Sequence, residues 1–182
     1  MKLLKEFFQG QELPRDVRHY IELTSTGQFY DYITPFVDPK CVSRTEFKGI
    51  FFACIFFCKI DHTEKSKKAK RFASGAEITN KKTGEVTHYE GFPNVLRAIQ
   101  HYKTSLGSYE QLAIRMQRDE AAIMLGVVLM QLHKRKIWAT TIHDSVVCLP
   151  QDQLIVQAIL EDAFASSFGI VPTIEPQTIR LP

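Results

Sequence analysis

The sequence predicts an α+β fold that is mostly helical, with a small antiparallel sheet and an inserted β-hairpin. Helical periodicity covers most of the chain, whereas two pairs of short β-rich runs are each joined by a turn. Apolar residues make up 45% of the 182 residues, which is sufficient for a buried core. Runs of helices beside a separate small sheet are typical of the α+β class.

Several stretches have helical patterns, and two of them carry recognisable start signals. Pro14 suits a first helical turn, and Ser43 is followed three residues later by Glu46, which is capping-box spacing. The helix from Tyr109 is polar at its start and strongly apolar later, which predicts that it is mostly buried. The predicted helices are 2–9, 14–23, 29–36, 44 to about 59, 94–103, 109 to about 134, and one from about 150 to Gly169.

Four β-rich runs remain between these helices. Residues 76–90 alternate around Asn80–Gly84, which predicts a hairpin, and 137–142 with 146–149 form a strand, tight turn and strand. The stretch 60–74 has no apolar periodicity, so we expect a mobile loop there. Residues 171–179 are expected to be a last extended piece.

The positive charge of the chain is concentrated in one segment. Between Lys59 and Tyr89 there are eight Lys/Arg against four Asp/Glu, whereas the rest of the chain holds fifteen against sixteen. This distribution is typical of a local phosphate-contacting face. The alternative is a lysine-rich loop that only keeps the protein in solution.

The composition also restricts the cellular compartment. The longest uncharged apolar run, Gly49–Cys58, is about half a membrane span, and charges interrupt any signal-peptide pattern. The four cysteines show no secreted disulfide spacing, so we expect reduced thiols in a cytoplasmic protein. Cys54 and Cys58 lie in an apolar run and are interpreted as packing residues rather than zinc ligands.

The turn His143-Asp144-Ser145 is the first candidate site. An aspartate on a hairpin turn between apolar strands is held rigidly, which suits a ligand for magnesium. The alternative is an ordinary solvated turn. Three consecutive residues cannot easily fold into a Ser-His-Asp relay, so a nucleophilic triad is not expected.

Two further groups of side chains are candidates for binding. Arg44, Lys48, Phe52 and Phe56 follow at steps of four, so two cations and two rings share one helix face that could bind a triphosphate and a base. The alternative is that both rings belong to the core. At the polar start of the long helix, Arg115, Gln117 and Arg118 could contact nucleic acid or could simply be solvated.

Taken in order, these motifs resemble the C-terminal part of family A DNA polymerases. The relatives would be polymerases of the DNA polymerase I type. The sequence is most similar to divergent phage-like or mobile-element members that carry His-Asp-Ser at the corresponding turn. The stripe from Arg44 is similar to the fingers helix called motif B, the helix from Tyr109 to the one that grips the duplex, and the turn at Asp144 to motif C. Gly27–Tyr30 resembles the stretch between motifs A and B. The resemblance implies three regions: an N-terminal helical segment (1–43), a fingers-like region with a basic insertion and hairpin at 60–91 (44–108), and a palm-like region (109–182).

The resemblance also implies roles for single residues. Asp144 would hold catalytic Mg²⁺, His143 would touch the primer end, and Arg44 and Lys48 would hold the incoming deoxynucleoside triphosphate. Phe52 and Phe56 would stack near the new base pair, although Phe56 replaces the usual Tyr and Phe57 a usual Gly. The DNA primer-template would be contacted by Arg115, Gln117 and Arg118, and by the basic segment through Lys65, Lys67, Lys68, Lys70 and Arg71.

One expected part of the family pattern has no match in this sequence. Motif A supplies a second metal-binding Asp, and two-metal catalysis needs carboxylates from both motifs. We therefore expect a fingers and palm fragment of a template-directed DNA polymerase that does not polymerise alone and needs an upstream polymerase fragment. The alternative is a non-catalytic nucleic-acid-binding module derived from the same scaffold; a third possibility is a structural protein that binds neither DNA nor nucleotide.

Overall fold

The computed structural model describes residues 2–41, 43–142 and 144–178. The chain divides into two compact units, Met1–Ile114 and Arg115–Pro182. The fold is α+β and mostly helical, with two small antiparallel two-stranded sheets in the described residues, which confirms the predicted class. Within the same ranges, no helix combines the length and the apolar character needed to cross a membrane.

The first unit is built mainly from helices. Their bounds are α1 (Lys2–Phe7), α2 (Arg15–Ser25), α3 (Phe29–Val37), α4 (Arg44–Phe51), α5 (Ile60–Lys65), α6 (Lys67–Ser74) and α7 (Pro93–Ser105), after which α8 (Tyr109–Ile123) begins. The predicted cap of α4 is present, because the Ser43 side chain accepts a hydrogen bond from the Glu46 amide at 3.4 Å. Capping satisfies one of the amide groups that a helix start leaves without a partner.

The expectation of a mobile loop at 60–74 is wrong, because this stretch forms α5 and α6. Ser66 caps α6 by accepting a hydrogen bond from the Ala69 amide at 3.3 Å. Ala69 and Phe72 are buried, at 1% and 0% exposure. Two apolar residues are too few to produce a visible periodicity, but they are enough to hold two helical turns against the rest of the unit.

The helix predicted from Arg44 to about Lys59 is shorter and changes its winding. After α4 it continues as a π-helix over Phe52–Phe56, and the Phe57 amide donates to the Phe52 carbonyl at 2.7 Å. A π-helical turn brings residues five apart onto the same side, where an α-helix would align residues three or four apart. The rings that follow Lys48 therefore do not stay on a single α-helical stripe.

A β-hairpin connects α6 with α7, as the sequence predicts. Its strands are β1 (Ala76–Thr79) and β2 (Val86–Tyr89), paired antiparallel so that Ala76 faces Tyr89 and Thr79 faces Val86. At the base of the hairpin, the two chain segments pass close to each other at Gly75 and Gly91. A Cβ atom on Gly75 would lie 2.1 Å from the Tyr89 carbonyl oxygen, and a Cβ atom on Gly91 would lie 2.2 Å from the Ala73 carbonyl oxygen. Only residues without a side chain allow the two chain segments to approach this closely.

Four phenylalanines form the centre of the first unit. Phe51 lies 5.4 Å from Phe29 and 5.2 Å from Phe72, and Phe72 lies 5.2 Å from Phe92, between ring centroids. All four are at most 4% exposed. Burial of each ring contributes about 1.5–3 kcal/mol. The cluster joins α3, α4 and α6 to the start of α7, so it fixes the helix that carries Arg44 and Lys48.

The second unit has its own core. Its elements after α8 are a π-helix (Met124–Leu129), α9 (Met130–Lys134), β3 (Ala139–Ile142), β4 (Ser145–Cys148), a 3₁₀ turn (Pro150–Asp152) and α10 (Gln153–Phe168). The buried residues of this core are Ile123, Val128, Leu132, Val156, Ile159 and Ala163. The extended piece expected at 171–179 forms no strand over 170–178, and residue 179 lies outside the described ranges.

Candidate functional site

Arg44 is held by the segment that precedes α3. Its Nη2 donates to the Gly27 carbonyl at 2.9 Å, and its guanidinium lies 5.9 Å from the centroid of the Tyr30 ring. Gly27 has a φ of +74°, a left-handed conformation that favours glycine. Burial raises the pKa of Tyr30, and the charge of Arg44 acts in the opposite direction. The structure thus brings together Gly27–Tyr30 and the start of α4, the two stretches that the resemblance links.

Lys48 is the second exposed cation of this helix. It lies four residues after Arg44, about one turn or 6 Å along the axis, and its side chain is exposed. Lys48 makes no hydrogen bond or ion pair with any residue in the described ranges, whereas Arg44 already bonds to Gly27. The two cations that the sequence groups together are therefore different, because only the ammonium of Lys48 is uncommitted.

The rings beyond Lys48 differ in their exposure. Phe56 is buried at 8% exposure, Phe52 is half-buried, and Phe57 is 46% exposed. Phe52 and Phe57 stack with 5.2 Å between centroids and an interplanar angle of 19°, because the π-helix aligns residues five apart. Sequence reasoning did not select Phe57 as a site residue. A π-helix has no sequence signal of its own, so the pairing could not be read from the spacing.

Asp144 occupies the turn between β3 and β4. The register pairs Ile142 with Ser145, and Asp144, which precedes Ser145, is exposed. A carboxylate at such a turn is held by the strand ladder on both sides while its oxygens face solvent. Asp144 belongs to the second unit, whereas Lys48 belongs to the first. The predicted primer-contacting residue His143 lies outside the described residues.

A complete magnesium site is not formed by the described side chains. Among them, no group of three or more His, Cys, Asp or Glu could hold a metal ion. A two-metal centre requires several carboxylate oxygens at fixed distances. Asp144 alone does not meet that requirement.

The predicted duplex contacts lie on α8, at the start of the second unit. Gln117 and Arg118 are exposed, while Arg115 is half-buried and its Nε donates to Asp119 Oδ2 at 3.1 Å. An ion pair with a residue four positions on is a common way to stabilise an exposed helix. Gln117 and Arg118 therefore remain the more accessible pair for a nucleic-acid contact.

The five predicted cations of the basic segment are not equivalent. Lys65, Lys67, Lys70 and Arg71 are exposed, whereas Lys68 is half-buried and forms an ion pair with Asp38. Within α6, the difference between Lys68 and the other cations follows from helical geometry, because residues 67, 70 and 71 lie on one side of the helix.

Lys103 is a buried lysine that the sequence analysis did not select. It donates hydrogen bonds to carbonyl groups at the end of the π-helix. Lys103 is 2% exposed, and its Nζ donates to the carbonyls of Ile55 and Cys58, at 2.5 and 2.8 Å, and contacts Thr63 Oγ1 at 3.1 Å. Burial lowers the pKa of Lys103, and the neighbouring Cys58 opposes that shift. The role of Lys103 is structural, because the carbonyls beyond the last helical turn need donors.

Of the two cysteines interpreted as packing residues, Cys58 is buried and Cys54 is half-buried. No disulfide joins Cys41, Cys54, Cys58 and Cys148. Cys58 is buried, and its Sγ lies 3.1 Å from the Cys54 carbonyl oxygen and 3.1 Å from Thr63 Oγ1. Burial also raises the pKa of the Cys148 thiol, which disfavours the reactive thiolate.

Comparisons of the chain with protein-family models, curated proteins and solved structures find no match.

Proposed function

We propose that this chain is the fingers and partial palm segment of a family A-like, template-directed DNA polymerase. The observation that carries the proposal is the environment of Lys48. Arg44 is committed to Gly27 and Tyr30, and this leaves Lys48 as an exposed ammonium one turn later. Beyond it lies the stacked ring pair of Phe52 and Phe57. A cation followed by accessible rings suits a nucleoside triphosphate, with phosphates at one end and the base at the other.

Each part of this surface has a defined physical role. The ammonium of Lys48 would donate a charge-assisted hydrogen bond to a phosphate oxygen, with a contribution of about 1.5–3 kcal/mol. Stacking of a base on an aromatic ring contributes roughly 1–3 kcal/mol. Phe57 takes the place that the sequence assigns to Phe56 in this role, because Phe56 is buried.

Asp144 would provide one carboxylate toward divalent metal, at the tip of a rigid hairpin. We propose that a polymerase fragment carrying motif A provides the second carboxylate, and that Gln117 and Arg118 contact the primer-template duplex. The reaction would take place in the cytoplasm, where the four cysteines stay reduced.

Template-directed nucleotide binding is the decisive test. The chain is bound to a fluorescent primer-template whose primer ends in a dideoxynucleotide, and dissociation is followed after a heparin challenge in the presence of Mg²⁺. We expect only the triphosphate complementary to the template base to slow dissociation. Equal effects of all four nucleotides, or no effect of any, would contradict the polymerase assignment. Binding of DNA without any nucleotide effect supports the non-catalytic alternative instead.

Two variants test the site residues. Lys48→Ala should raise the concentration of complementary nucleotide that is required by about 10- to 100-fold, the equivalent of one charge-assisted hydrogen bond. Lys40→Ala removes another exposed lysine of the same unit and should leave that concentration unchanged. When a polypeptide with motif A is added, Asp144→Ala should abolish primer extension. Unchanged activity in both the Lys48 and Asp144 variants would refute the assignment.

A further inference from the structure

Helix α6 presents two chemically distinct faces. Lys67, Lys70 and Arg71 are exposed at the i, i+3 and i+4 positions of one face, which we call the basic face. On the opposite face, Ala69 and Phe72 are 1% and 0% exposed. The buried face fixes the helix, so the backbone positions of the three cations keep a constant spacing along its surface.

No carboxylate in the described ranges pairs with the basic face. Lys68, the remaining lysine of α6, pairs with Asp38, and the side chains of Lys67, Lys70 and Arg71 form no ion pair or hydrogen bond with a described residue. The acids of the preceding helix α5 are Asp61 and Glu64, both exposed, and the exposed Lys65 lies at its end. The positive charge of this face therefore remains available to an external anion.

We propose that the basic face binds the phosphate backbone of nucleic acid without reading its sequence. Residues 67 to 71 cover about 6 Å of helix axis, and B-form DNA carries a phosphate for roughly every 3.4 Å along each strand. The three cations thus match two or three phosphates. This site goes beyond the proposed polymerase function, because it needs no nucleotide, no metal and no primer end.

An anionic membrane fits the same charges less well. An interfacial helix inserts large apolar side chains between the lipids. In α6 the large apolar residue is Phe72, whose ring packs 5.2 Å from both Phe51 and Phe92 between centroids. None of the exposed large apolar residues of the structure lies in 60–79. The face offers charge without an apolar anchor, which is the character of a nucleic-acid backbone contact.

The salt dependence of binding tests this inference. Affinity for a short, blunt-ended fluorescent duplex is measured without nucleotide at several salt concentrations, for the wild type and for Lys67→Gln/Lys70→Gln/Arg71→Gln. Each phosphate neutralised contributes about 0.9 to the slope of log K against log salt concentration. We expect the slope of the triple variant to be shallower by about 2–3. Because the three positions are exposed, the substitutions should leave the circular dichroism spectrum and the melting temperature unchanged. If the triple variant is unstable, Lys70→Gln alone should make the slope shallower by about 0.9.

Two controls separate position from charge. Lys68→Gln/Asp38→Asn removes the adjacent lysine together with its partner and should leave the slope unchanged. Lys134→Gln/Arg135→Gln/Lys136→Gln removes the same charge from the second unit and should change the slope by less than about 1. A wild-type slope in the α6 triple variant would overturn the inference, and so would an equal loss in the 134–136 variant. Binding to phosphatidylserine vesicles but not to duplex would also overturn it, whereas loss of the nucleotide effect alone would affect only the polymerase proposal.

Discussion

Replacement of Lys103 by methionine tests the most unusual buried contact in the first unit. Lys103→Met keeps an unbranched side chain that is one atom shorter, but removes the donor to the carbonyls of Ile55 and Cys58. Each buried acceptor that loses its partner costs about 1–3 kcal/mol, so the two together cost roughly 2–6 kcal/mol. The variant no longer buries an ammonium, which offsets part of this loss. We expect the free energy of unfolding to fall by about 2–4 kcal/mol.

Urea unfolding followed by circular dichroism measures this change, and hydrogen exchange can locate it. Amides of α5 and α7 should exchange faster, because Lys103 connects α7 to the π-helix end and to Thr63 of α5. Lys59→Met makes the same side-chain change at an exposed neighbour and should shift stability by less than about 0.5 kcal/mol. If Lys103→Met is as stable as the wild type, the bonds of Lys103 do not outweigh the cost of burying its charge.

The pH dependence gives the Lys103 experiment a second readout. Burial holds the pKa of Lys103 below its ordinary value of 10.5. Between the lowered pKa and 10.5, the unfolded chain keeps a proton that the folded protein has released, so this group makes the wild type more stable as the pH rises. The stability difference between wild type and Lys103→Met should therefore widen from neutral pH toward pH 10.5. A difference that narrows over this range would contradict the direction of the shift.

Three other perturbations follow from single contacts. Gly75→Ala should destabilise the protein by more than about 3 kcal/mol in urea unfolding, since a Cβ there would meet the Tyr89 carbonyl oxygen at 2.1 Å. Asp16→Ala should lower stability by about 1–3 kcal/mol, because Asp16 is buried and its carboxylate accepts from both the backbone and side-chain amides of Asn94 at the start of α7. Burial raises the pKa of Tyr20. Above about pH 10 the unfolded state therefore loses a proton that the folded state retains, and the wild type becomes less stable. Between neutral pH and pH 11, the melting temperature of Tyr20→Phe should therefore fall less than that of the wild type.

Matched variants make these predictions sharper. Gly84 has nearly the same φ as Gly75, +72° against +71°, but a Cβ there meets nothing within 4 Å. Gly84→Ala should therefore cost only about 1–2 kcal/mol, and equal losses in both variants would disprove the steric argument. Asp31 is exposed and should tolerate alanine, which makes it the comparison for Asp16. A Tyr20→Phe variant that follows the wild-type pH curve would exclude Tyr20 as a source of alkaline instability.

The features that the sequence predicts correctly depend on neighbouring residues. Ser43 caps α4 because the Glu46 amide is three residues away. The hairpin turns where Asn80 Oδ1 accepts from the Lys82 amide at 2.9 Å and Gly84 adopts a left-handed conformation. The same holds for the turn of Asp144, since two β-rich runs joined by so few residues can only pair antiparallel. These signals lie within a few positions of one another, so they can be read without the rest of the chain.

The features that the sequence did not predict depend on contacts between distant segments. The stretch 60–74 becomes helical because Phe72 packs against Phe51 and Phe92, which come from other parts of the chain. Lys68 is not available to an external anion because it pairs with Asp38, thirty residues away in sequence. Phe57 becomes the exposed stacking ring because of a π-helix whose end is held by Lys103.

The sequence by itself therefore determined the fold class, most of the element order and the exposed turn of Asp144. Tertiary structure alone decided which cations of α4 and α6 are used internally, namely Arg44 and Lys68, and which have no partner among the described residues, namely Lys48 and the basic face. The physical reason is that a charged side chain is available to a ligand only if no distant group satisfies it, and that pairing exists only after the chain has folded.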